Sequence, residues 1–217
     1  MARPRADNYE GQREAILKRA AALFAQHGYV GTSMNDVAVA CGLSKPTLYH
    51  YYRDKDEMLA SIAEGHVSRL MLLVESVEAD SPGAPEDRLE MLITRFLLEY
   101  ADAQDAHRVL TEDVKFLPEV DRERILAKER IVVQAYSDAI GALRPDIRTA
   151  GLDKPVAMLL FGMLNWMFTW LKPDGELTHA SIAPLVCDLF FYGLAGAAVP
   201  AAVPGKKAAR KRGSSPG

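Results

Sequence analysis

Apolar residues recur along almost the whole chain with the spacing of an α-helix. In "GQREAILKRAAALFAQHG", residues 11–28, one helix face carries apolar residues at i, i+4, i+7 and i+8, namely Ile16, Ala20, Leu23 and Phe24. The alternation of apolar and polar residues that a half-buried strand needs does not recur over any useful length. The sequence therefore predicts an all-α protein.

Capping residues and helix breakers divide this pattern into separate helices. Ser33 can cap a short second helix, and Ser44 can cap a third, in which Pro46 takes a first-turn position where no helical hydrogen bond is lost. A long amphipathic helix is expected to start at Asp54 or Asp56. Its core-facing stripe is predicted to consist of Leu59, Ile62, His66, Leu70, Leu73 and Val77. Further helices are predicted at about 86–103, 107–115, 119–143, 154–171 and 182–195.

The 217 residues divide into three regions. We predict an N-terminal three-helix domain over 1–53, a larger helical domain over 54–198 and a disordered basic tail over 199–217. The net charge of -3 conceals a gradient, because the first 60 residues are close to neutral, the middle is acidic and the tail is basic. This distribution indicates that a polyanion would be bound near the ends of the chain.

Several classes of protein are disfavoured by what the sequence lacks. The longest apolar run, residues 156–171, is shorter than the roughly 18–20 residues of a membrane span, and no signal peptide is recognised in the first thirty residues. Cys41 and Cys187 lie far apart, which fits a reducing cytoplasm and gives neither a disulfide framework nor a metal site. We therefore expect a cytoplasmic protein without membrane association, metal or cofactor.

An enzyme of helical fold is the main rival class. The sequence contains no phosphate-binding glycine loop, no HExxH and no GxSxG, and its five histidines are scattered. Catalysis is therefore not expected. An architectural DNA-binding protein is a third class, but such a protein would not need an interior so rich in Met and Trp.

The stretch "GLSKPTLYHYYRDKDEML", residues 42–59, concentrates Tyr, His and Lys around one short helix. If Ser44 caps that helix, Leu48 and Tyr52 face the core, while Lys45 and Tyr49 lie on the opposite face. A short helix that follows a tight turn and packs on the preceding helix is typical of a helix-turn-helix, whose second helix enters the major groove of DNA. Tyr52 is accordingly predicted to be structural, and Tyr49 to contact DNA.

The run "GYVGTSMNDVAVACGLSKPTLYHYYRDKDEML", residues 28–59, resembles the DNA-binding domain of the TetR family of bacterial one-component repressors. The usual family run is similar to "T-T-x-x-x-I-A-x-x-A-G-V-S-K-G-T-L-Y-x-H-F-x-S-K-E-x-L". Departures are mild: Cys41 replaces Ala, Pro46 replaces Gly and Tyr52 replaces Phe. The resemblance implies phosphate and base contacts from Thr32, Ser33, Lys45, Thr47, Tyr49, His50 and Lys55, with Pro46 affecting base preference.

The remainder resembles the helical ligand-binding and dimerisation domain of the same family. Apolar residues surround the helix predicted at 154–171, so it must be covered on all sides. The family resemblance implies that one side packs inside the domain and another meets a partner subunit in a homodimer. A four-helix interface is predicted to include Leu160, Leu164, Leu185 and Leu189.

A pocket for a small hydrophobic effector is the second implication of the resemblance. Candidate lining residues are the aromatic and Met residues of this domain together with its central amide: Phe96, Tyr100, Phe116, Tyr136, Met163, Asn165, Trp166 and Trp170. Asn165 could instead set the register of dimer pairing. His66 and His107 are predicted to be packed or solvated and not to bind a ligand.

The segments "FGMLNWMFTWLKPDGEL" and "LTEDVKFLPE" resemble family members that sense acyl-CoA thioesters, and a drug-responsive efflux regulator is the alternative. The phosphates of coenzyme A would need cations near the pocket, for which the candidates are Arg95, Arg108, Lys115, Arg122, Arg124 and Arg130. The resemblance thus implies a homodimeric repressor that binds a near-palindromic double-stranded DNA operator and is released by its effector. Activation of transcription is not distinguished from repression at this point.

Overall fold

The computed structural model describes residues 3–80, 83–172 and 175–197, and these residues are mostly helical and contain no strand. The helices are α1 (Arg3–His27), α2 (Met34–Ala40), α3 (Lys45–Tyr49), α4 (Lys55–Ala79), α5 (Pro85–Asp102), α6 (Gln104–Asp113), α7 (Glu119–Leu143), α8 (Pro145–Thr149), α9 (Asp153–Asn165) and α10 (His179–Gly196). Two 3-10 turns cover Val114–Phe116 and Met167–Thr169. The predicted all-α class is confirmed, whereas the predicted tail lies outside the described residues.

Helix starts follow the predicted caps. The hydroxyl of Ser33 accepts a hydrogen bond from the Asp36 backbone N–H, and the Asp36 carboxylate accepts one from the Ser33 N–H, which forms a capping box. Ser44 caps α3 through the N–H of Thr47. Of the two alternatives for α4, Asp54 is the cap, because its carboxylate accepts from the Glu57 N–H at 2.8 Å.

One predicted helix is shorter than expected, one observed helix was not predicted, and α6 and α10 each begin three residues earlier than predicted. The helix expected over 154–171 ends at Asn165, and the chain continues through the 3-10 turn Met167–Thr169. The segment expected to be a break between α7 and α9 contains α8, which starts with Pro145 and is followed by Gly151 at φ 71°. Proline in the first turn and glycine after the last turn both favour a short helix, so the breakers bound α8 without preventing it.

Two hydrophobic cores share helix α4. The first core contains residues of α1–α3, the first half of α4, α6 and the start of α7, including Phe24, Leu48 and Val67. The second contains the rest of α4, α5 and α7–α10. Because α4 and α6 take part in packing the N-terminal helices, a shift of either helix must reach the DNA-binding end of the molecule.

An apolar surface remains exposed on the last two long helices. α9 packs on α7 and α10 packs on α5, and each leaves large side chains on its outer face. These exposed side chains are Met158, Leu159 and Met163 on α9, Trp166 directly after it, and Leu185, Leu189 and Tyr192 on α10. By length and composition, α10 is also the one helix of the described residues that could cross a membrane, although its buried face packs in the second core.

Candidate DNA-binding surface and effector cavity

The turn between α2 and α3 brings the two helices together as a helix-turn-helix. Gly42 has φ 65°, a left-handed conformation that favours glycine, and it ends α2 sharply. The N–H of Leu43 then donates to the carbonyl of Ala38 at 2.9 Å, which closes the turn. Val37 of α2 and Leu48 of α3 are fully buried in the first core, so the relative position of the two helices is fixed by packing.

The outer face of α3 carries the side chains that the sequence predicts to meet DNA. Lys45, Pro46, Tyr49 and His50 are exposed, and Tyr49 retains 45% of its accessible surface. The hydroxyl of Thr47 is half-buried and lies 2.7 Å from that of Ser44. This face presents a cation, an aromatic hydroxyl and an imidazole, which are groups suited to phosphates and base edges.

Tyr52 points the opposite way from Tyr49, as predicted. It is 1% exposed, and its hydroxyl donates to the backbone carbonyl of Arg13 at 3.2 Å. The Arg13 guanidinium lies over the Tyr52 ring, with its central carbon 4.8 Å from the ring centroid. Tyr52 therefore ties the end of the recognition segment to α1.

Thr32 and Lys55 occupy different environments from those expected of phosphate contacts. The prediction of a contact from the Thr32 side chain is wrong for this structure, because Thr32 is 3% exposed and its hydroxyl donates to the carbonyl of Gly28 at 2.9 Å. The Lys55 ammonium donates to the carbonyls of Tyr29 and Thr32, at 2.6 and 2.8 Å. Lys55 thus stabilises the turn that precedes α2. Only the third N–H of its ammonium group remains to donate to a phosphate.

A cavity of about 150 Å³ lies between α4, α5, α6, α7 and α9. Most of its wall is apolar, and five polar residues interrupt it. The lining residues are Val67, Leu70, Tyr100, His107, Leu110, Thr111, Glu129, Val132, Val133, Met158, Phe161 and Asn165. An apolar enclosure with a few polar groups is the usual character of a small-molecule site.

A larger cleft of about 320 Å³ lies between the starts of α4 and α7. Its wall is mainly charged, and several of these charges are already paired. The Arg124 guanidinium lies 3.1 Å from a Glu64 carboxylate oxygen and 2.8 Å from one of Asp121. A hydrophobic effector bound there would remove these charged groups from water, which costs more free energy than the contact returns. The smaller apolar cavity is therefore the better candidate site.

Two of the eight predicted pocket residues line this cavity, namely Tyr100 and Asn165. The Tyr100 hydroxyl donates to the Asn165 side-chain carbonyl at 3.0 Å, so the amide nitrogen of Asn165 remains available as a donor. Phe96 and Tyr136 are fully buried behind the wall and contact Phe161 edge-on. They support the cavity and do not line it.

The other four predicted pocket residues lie elsewhere, which corrects the prediction. Trp166, Trp170 and Met163 are 62%, 50% and 39% exposed, on the outer side of α9 and the turn that follows it. Phe116 lies at the junction with the N-terminal domain, where its ring stacks on Tyr29. Aromatic character alone could not distinguish residues that line the cavity from residues on the outer surface, because both faces of α9 are apolar.

Buried histidines are the residues that the sequence interpretation missed. His66 is fully buried and His107 is 3% exposed, and His66 Nε2 lies 3.3 Å from His107 Nδ1. The Tyr100 ring stacks on His107, with 3.7 Å between ring centroids. The predicted stripe did place His66 on the core side of α4, but no signal in the sequence paired it with a histidine 41 residues away.

Burial favours the neutral form of both imidazoles by lowering their pKa values. It lowers the pKa of His107 to about 3, and the neighbouring His66 acts in the same direction. Hydrogen bonding to the backbone of Asn165 partly opposes this lowering of the His107 pKa. Burial also lowers the pKa of His66, against the opposing effect of Glu99.

Glu129 is the one acid of the cavity wall. Burial raises the pKa of its carboxyl, and the Arg130 guanidinium partly opposes this change in the pKa. None of the lining residues, all within the described part of the chain, is Lys or Arg. Four cations adjoin lining residues in the sequence, and all are paired with acids outside the cavity wall: Arg69 with Glu99, Arg108 with Glu112, Lys128 with Glu64 and Arg130 with Glu123.

The predicted dimer leucines divide into two pairs. Leu160 is fully buried and Leu164 is 1% exposed, so both belong to the core of their own subunit and their assignment to an interface is wrong for this structure. Leu185 and Leu189 are 53% and 59% exposed on the outer face of α10. The sequence analysis placed Leu160 and Leu164 on the wrong face of α9, because its buried and exposed faces carry similar apolar residues.

A helix-turn-helix on an all-helical body is the architecture of a DNA-binding regulator. Comparison with known families agrees. Residues 16–62 match the profile described as "Bacterial regulatory proteins, tetR family", and residues 82–194 match "Tetracyclin repressor-like, C-terminal domain". The chain belongs to the TetR family and is a transcriptional regulator, not an enzyme.

Individual relatives extend over most of the chain. The HTH-type transcriptional repressor KstR2 of Mycobacterium tuberculosis is 27% identical over 197 residues, which cover 87% of this chain and 96% of KstR2. A crystal structure of a TetR-family regulator from Bordetella parapertussis 12822 shares 37% identity with a TM-score of 0.78, covering 82% of this chain and 93% of that one. AibR in complex with isovaleryl coenzyme A and operator DNA shares 27% identity with a TM-score of 0.70, covering 82% and 97%.

Proposed function

We infer that this repressor binds its operator as a homodimer and is released by a small acyl- or aryl-CoA thioester. The observation that carries the choice of effector is the cavity itself, which has a mostly apolar wall, four neutral polar side chains, one acid and no Lys or Arg among its lining residues. Such a wall suits the uncharged acyl end of a thioester. The AibR structure supports the choice of class, because that relative holds isovaleryl coenzyme A.

The homodimer rests on the exposed apolar faces of α9 and α10. Leu159 and Leu189 are 70% and 59% exposed, and neighbouring exposed side chains extend the same surface. Large contiguous apolar patches usually mark an interface. A two-fold dimer would place two α3 helices on successive major-groove segments, about 34 Å apart, and would favour a near-palindromic operator in the bacterial cytoplasm.

Release follows from a difference in affinity between two states of the dimer. An effector that binds better when α4 and α6 are displaced lowers the population of the DNA-binding form, and DNA lowers effector affinity by the same factor. α6 contributes His107, Leu110 and Thr111 to the cavity wall and also packs against α1. Movement of α6 is therefore the route that we propose.

Two successive measurements test this function. DNA fragments of the source genome retained by the purified protein are sequenced to give the operator, and operator-bound protein is then titrated with isovaleryl-CoA, benzoyl-CoA, the free acids and hydrophobic drugs. We expect release by a CoA thioester and little by the matching acid. Release by drugs alone would assign the protein to the efflux regulators, and failure to retain any specific DNA would contradict the repressor model for this chain.

A further inference from the structure

The side chain of Asn165 lies on the face of α9 that borders the cavity. Asn165 is the last residue of this helix, and Met158 and Phe161 precede it at the spacing i, i+3 and i+7. Residues at this spacing share one face of an α-helix, and all three line the cavity. The helix therefore directs the amide of Asn165 to the same space as its apolar neighbours.

Tyr100 determines which end of this amide faces the ligand. The Tyr100 hydroxyl donates to Asn165 Oδ1 at 3.0 Å, and it has no other acceptor within the described part of the chain. The Tyr100 side chain is 2% exposed, and its ring stacks on His107 with 3.7 Å between ring centroids. If the amide were turned over, the hydroxyl hydrogen would be buried without an acceptor, which is costly. Oδ1 therefore points to Tyr100, and Nδ2 points away from it.

The two hydrogens of Asn165 Nδ2 have no acceptor among the residues that the structure describes. Asn165 is half-buried, and Nδ2 is not one of the fully buried atoms that lack a partner, so it retains accessible surface. The hydroxyls of the cavity wall are already committed, because Tyr100 donates to Asn165 and Thr111 donates to the backbone carbonyl of His107 at 2.9 Å. Asn165 thus offers the cavity an uncommitted N–H donor.

An uncharged carbonyl oxygen is the acceptor that fits this donor best. A thioether sulfur accepts hydrogen bonds only weakly. A carboxylate accepts well, but none of the lining residues, all within the described ranges, is Lys or Arg. Burial of its charge without a paired cation would therefore cost more than the hydrogen bond returns.

We propose that Asn165 Nδ2–H binds the carbonyl oxygen of an uncharged acyl group in the cavity, and that Tyr100 is the positioning residue that orients the amide. This assignment rests on the proposed function, because it names the group by which the same cavity recognises a thioester. The apolar wall then takes the alkyl or aryl part of the acyl group.

Cavity size narrows the acyl group. At about 150 Å³ the space is similar to an engineered apolar cavity of about 150 Å³ in another protein that binds benzene. A short branched chain or a single ring fits such a volume, whereas a long fatty chain or a fused ring system does not. The coenzyme A moiety would leave the cavity past Met158 and Thr111, which line it and are exposed.

The test uses small probes without coenzyme A, so that it is independent of operator release. The full-length protein is titrated by calorimetry with S-methyl thioisovalerate, with isopentyl methyl sulfide, which has CH₂ in place of the carbonyl, and with isovalerate. We expect the thioester to bind about tenfold more tightly than the sulfide, as one hydrogen bond predicts. Isovalerate should bind at least about tenfold more weakly than the thioester, because its charge is buried without a cation.

Two substitutions of Asn165 test the donor. Asn165→Leu removes the amide at similar volume, and Asn165→Asp keeps an acceptor for Tyr100 but has no N–H. Each should abolish the preference for thioester over sulfide, and the second variant provides the comparison if the first fails to fold. Thr111→Val removes a hydroxyl from the same wall at equal size, so it is the matched control and should leave the preference at about tenfold.

Infrared difference spectroscopy tests the part played by Tyr100. A hydrogen bond weakens a C=O bond, so the bound thioester, labelled with carbon-13 at its carbonyl, should show a single band at lowered frequency. Tyr100→Phe frees the amide to turn over and should add a second, unshifted band. A single lowered band in Tyr100→Phe would mean that Tyr100 does not orient the amide.

Equal binding of thioester and sulfide to the unaltered protein, or no binding of any probe, overturns the assignment. A tenfold preference that persists in both Asn165 variants does the same, because another group then donates. If the small thioester binds through Asn165 as expected and no CoA thioester releases the operator, the cavity chemistry is correct and the proposed effector class is wrong. If a CoA thioester releases Asn165→Leu as readily as the unaltered protein, the proposed function stands and the role of Asn165 is wrong.

Discussion

The ring of Phe116 stacks on the ring of Tyr29, with centroids 5.6 Å apart and an interplanar angle of 23°. Phe116 ends the 3-10 turn that directly follows α6, and Tyr29 lies in the turn between α1 and α2. The Tyr29 hydroxyl is hydrogen-bonded to Asp56, and Lys55 donates to its backbone carbonyl. One contact thus connects the helix that carries His107 to the turn that positions α2.

Phe116→Ala should weaken the coupling between effector and operator without changing effector affinity for the free protein. Allosteric coupling energies are typically about 1–3 kcal/mol, and we expect a loss of about 1 kcal/mol, or roughly fivefold in effector-dependent release. The measurement is effector affinity with and without operator. Val120→Ala, at a 77% exposed position in the same region, is the control. Unchanged coupling in Phe116→Ala would show that the signal travels by another contact.

The sequence predicted the N-terminal domain well because its signals are local. Ser33, Ser44 and Asp54 act as caps within one turn of the chain, and the spacing of Leu48 and Tyr52 determines which side of α3 is buried. Such relationships need no knowledge of distant residues.

The cavity could not be predicted in the same way. Its polar groups come from α5, α6, α7 and α9, and the pairing of His66 with His107 depends on how α4 packs on α6. On α9 both faces are apolar, so periodicity did not show that Leu160 belongs to the core and Leu159 to the surface. Tertiary packing, and not composition, decides these positions.

Tyr49 and Tyr52 should respond oppositely to truncation. Tyr52→Ala removes a buried ring and should lower the free energy of unfolding by about 3–5 kcal/mol. Tyr49→Ala removes an exposed ring and should leave thermal stability unchanged while weakening operator binding by about 1–3 kcal/mol. Thermal melting and DNA titration of both variants provide the comparison, and equal melting losses would contradict the orientation of α3.

Substitution of Lys45 and of Lys55 should show which lysine contacts DNA and which one stabilises the fold. Lys45→Ala removes an exposed charge and should lower the salt dependence of DNA binding by about one unit without changing stability. Lys55→Ala removes two hydrogen bonds to backbone carbonyls and should lower stability by about 1–3 kcal/mol. If Lys55→Ala lowers the salt dependence of DNA binding and leaves the melting temperature unchanged, Lys55 contacts a phosphate, as the sequence predicted, and does not stabilise the turn.

Acid should destabilise the protein through its buried histidines. In the folded state the pKa of His107 is lowered to about 3 by burial, whereas an unfolded histidine titrates near about 6.5. Between these values the unfolded chain binds the extra proton, so stability is retained above about pH 6.5 and is lost as pH falls. The loss approaches about 1.4 kcal/mol per pH unit for each such histidine.

Comparison of His107→Phe with the unaltered protein between about pH 6.5 and pH 5 isolates this effect, because ordinary carboxyls stay ionised there. The titratable neighbours of His107 are His66, Tyr100 and His179, and His66 in turn contacts Arg69 and Glu99. Urea unfolding at each pH should give a shallower pH slope for His107→Phe. Parallel slopes for the two proteins would mean that His107 is not held neutral in the folded state.

Substitutions of Leu189 and Leu160 should distinguish a residue of the subunit interface from a residue of the subunit core. Leu189→Arg places a charge on the exposed apolar face of α10 and should dissociate the proposed dimer, since burying an unpaired charge costs several kcal/mol or about three orders of magnitude in dimer affinity. Leu72→Arg, at a 62% exposed position on α4, is the matched control and should leave the dimer intact. Leu160→Ala should instead lower the free energy of unfolding by about 2–5 kcal/mol. Sedimentation velocity and thermal melting together decide the assignment, which fails if Leu189→Arg sediments as the unaltered protein does.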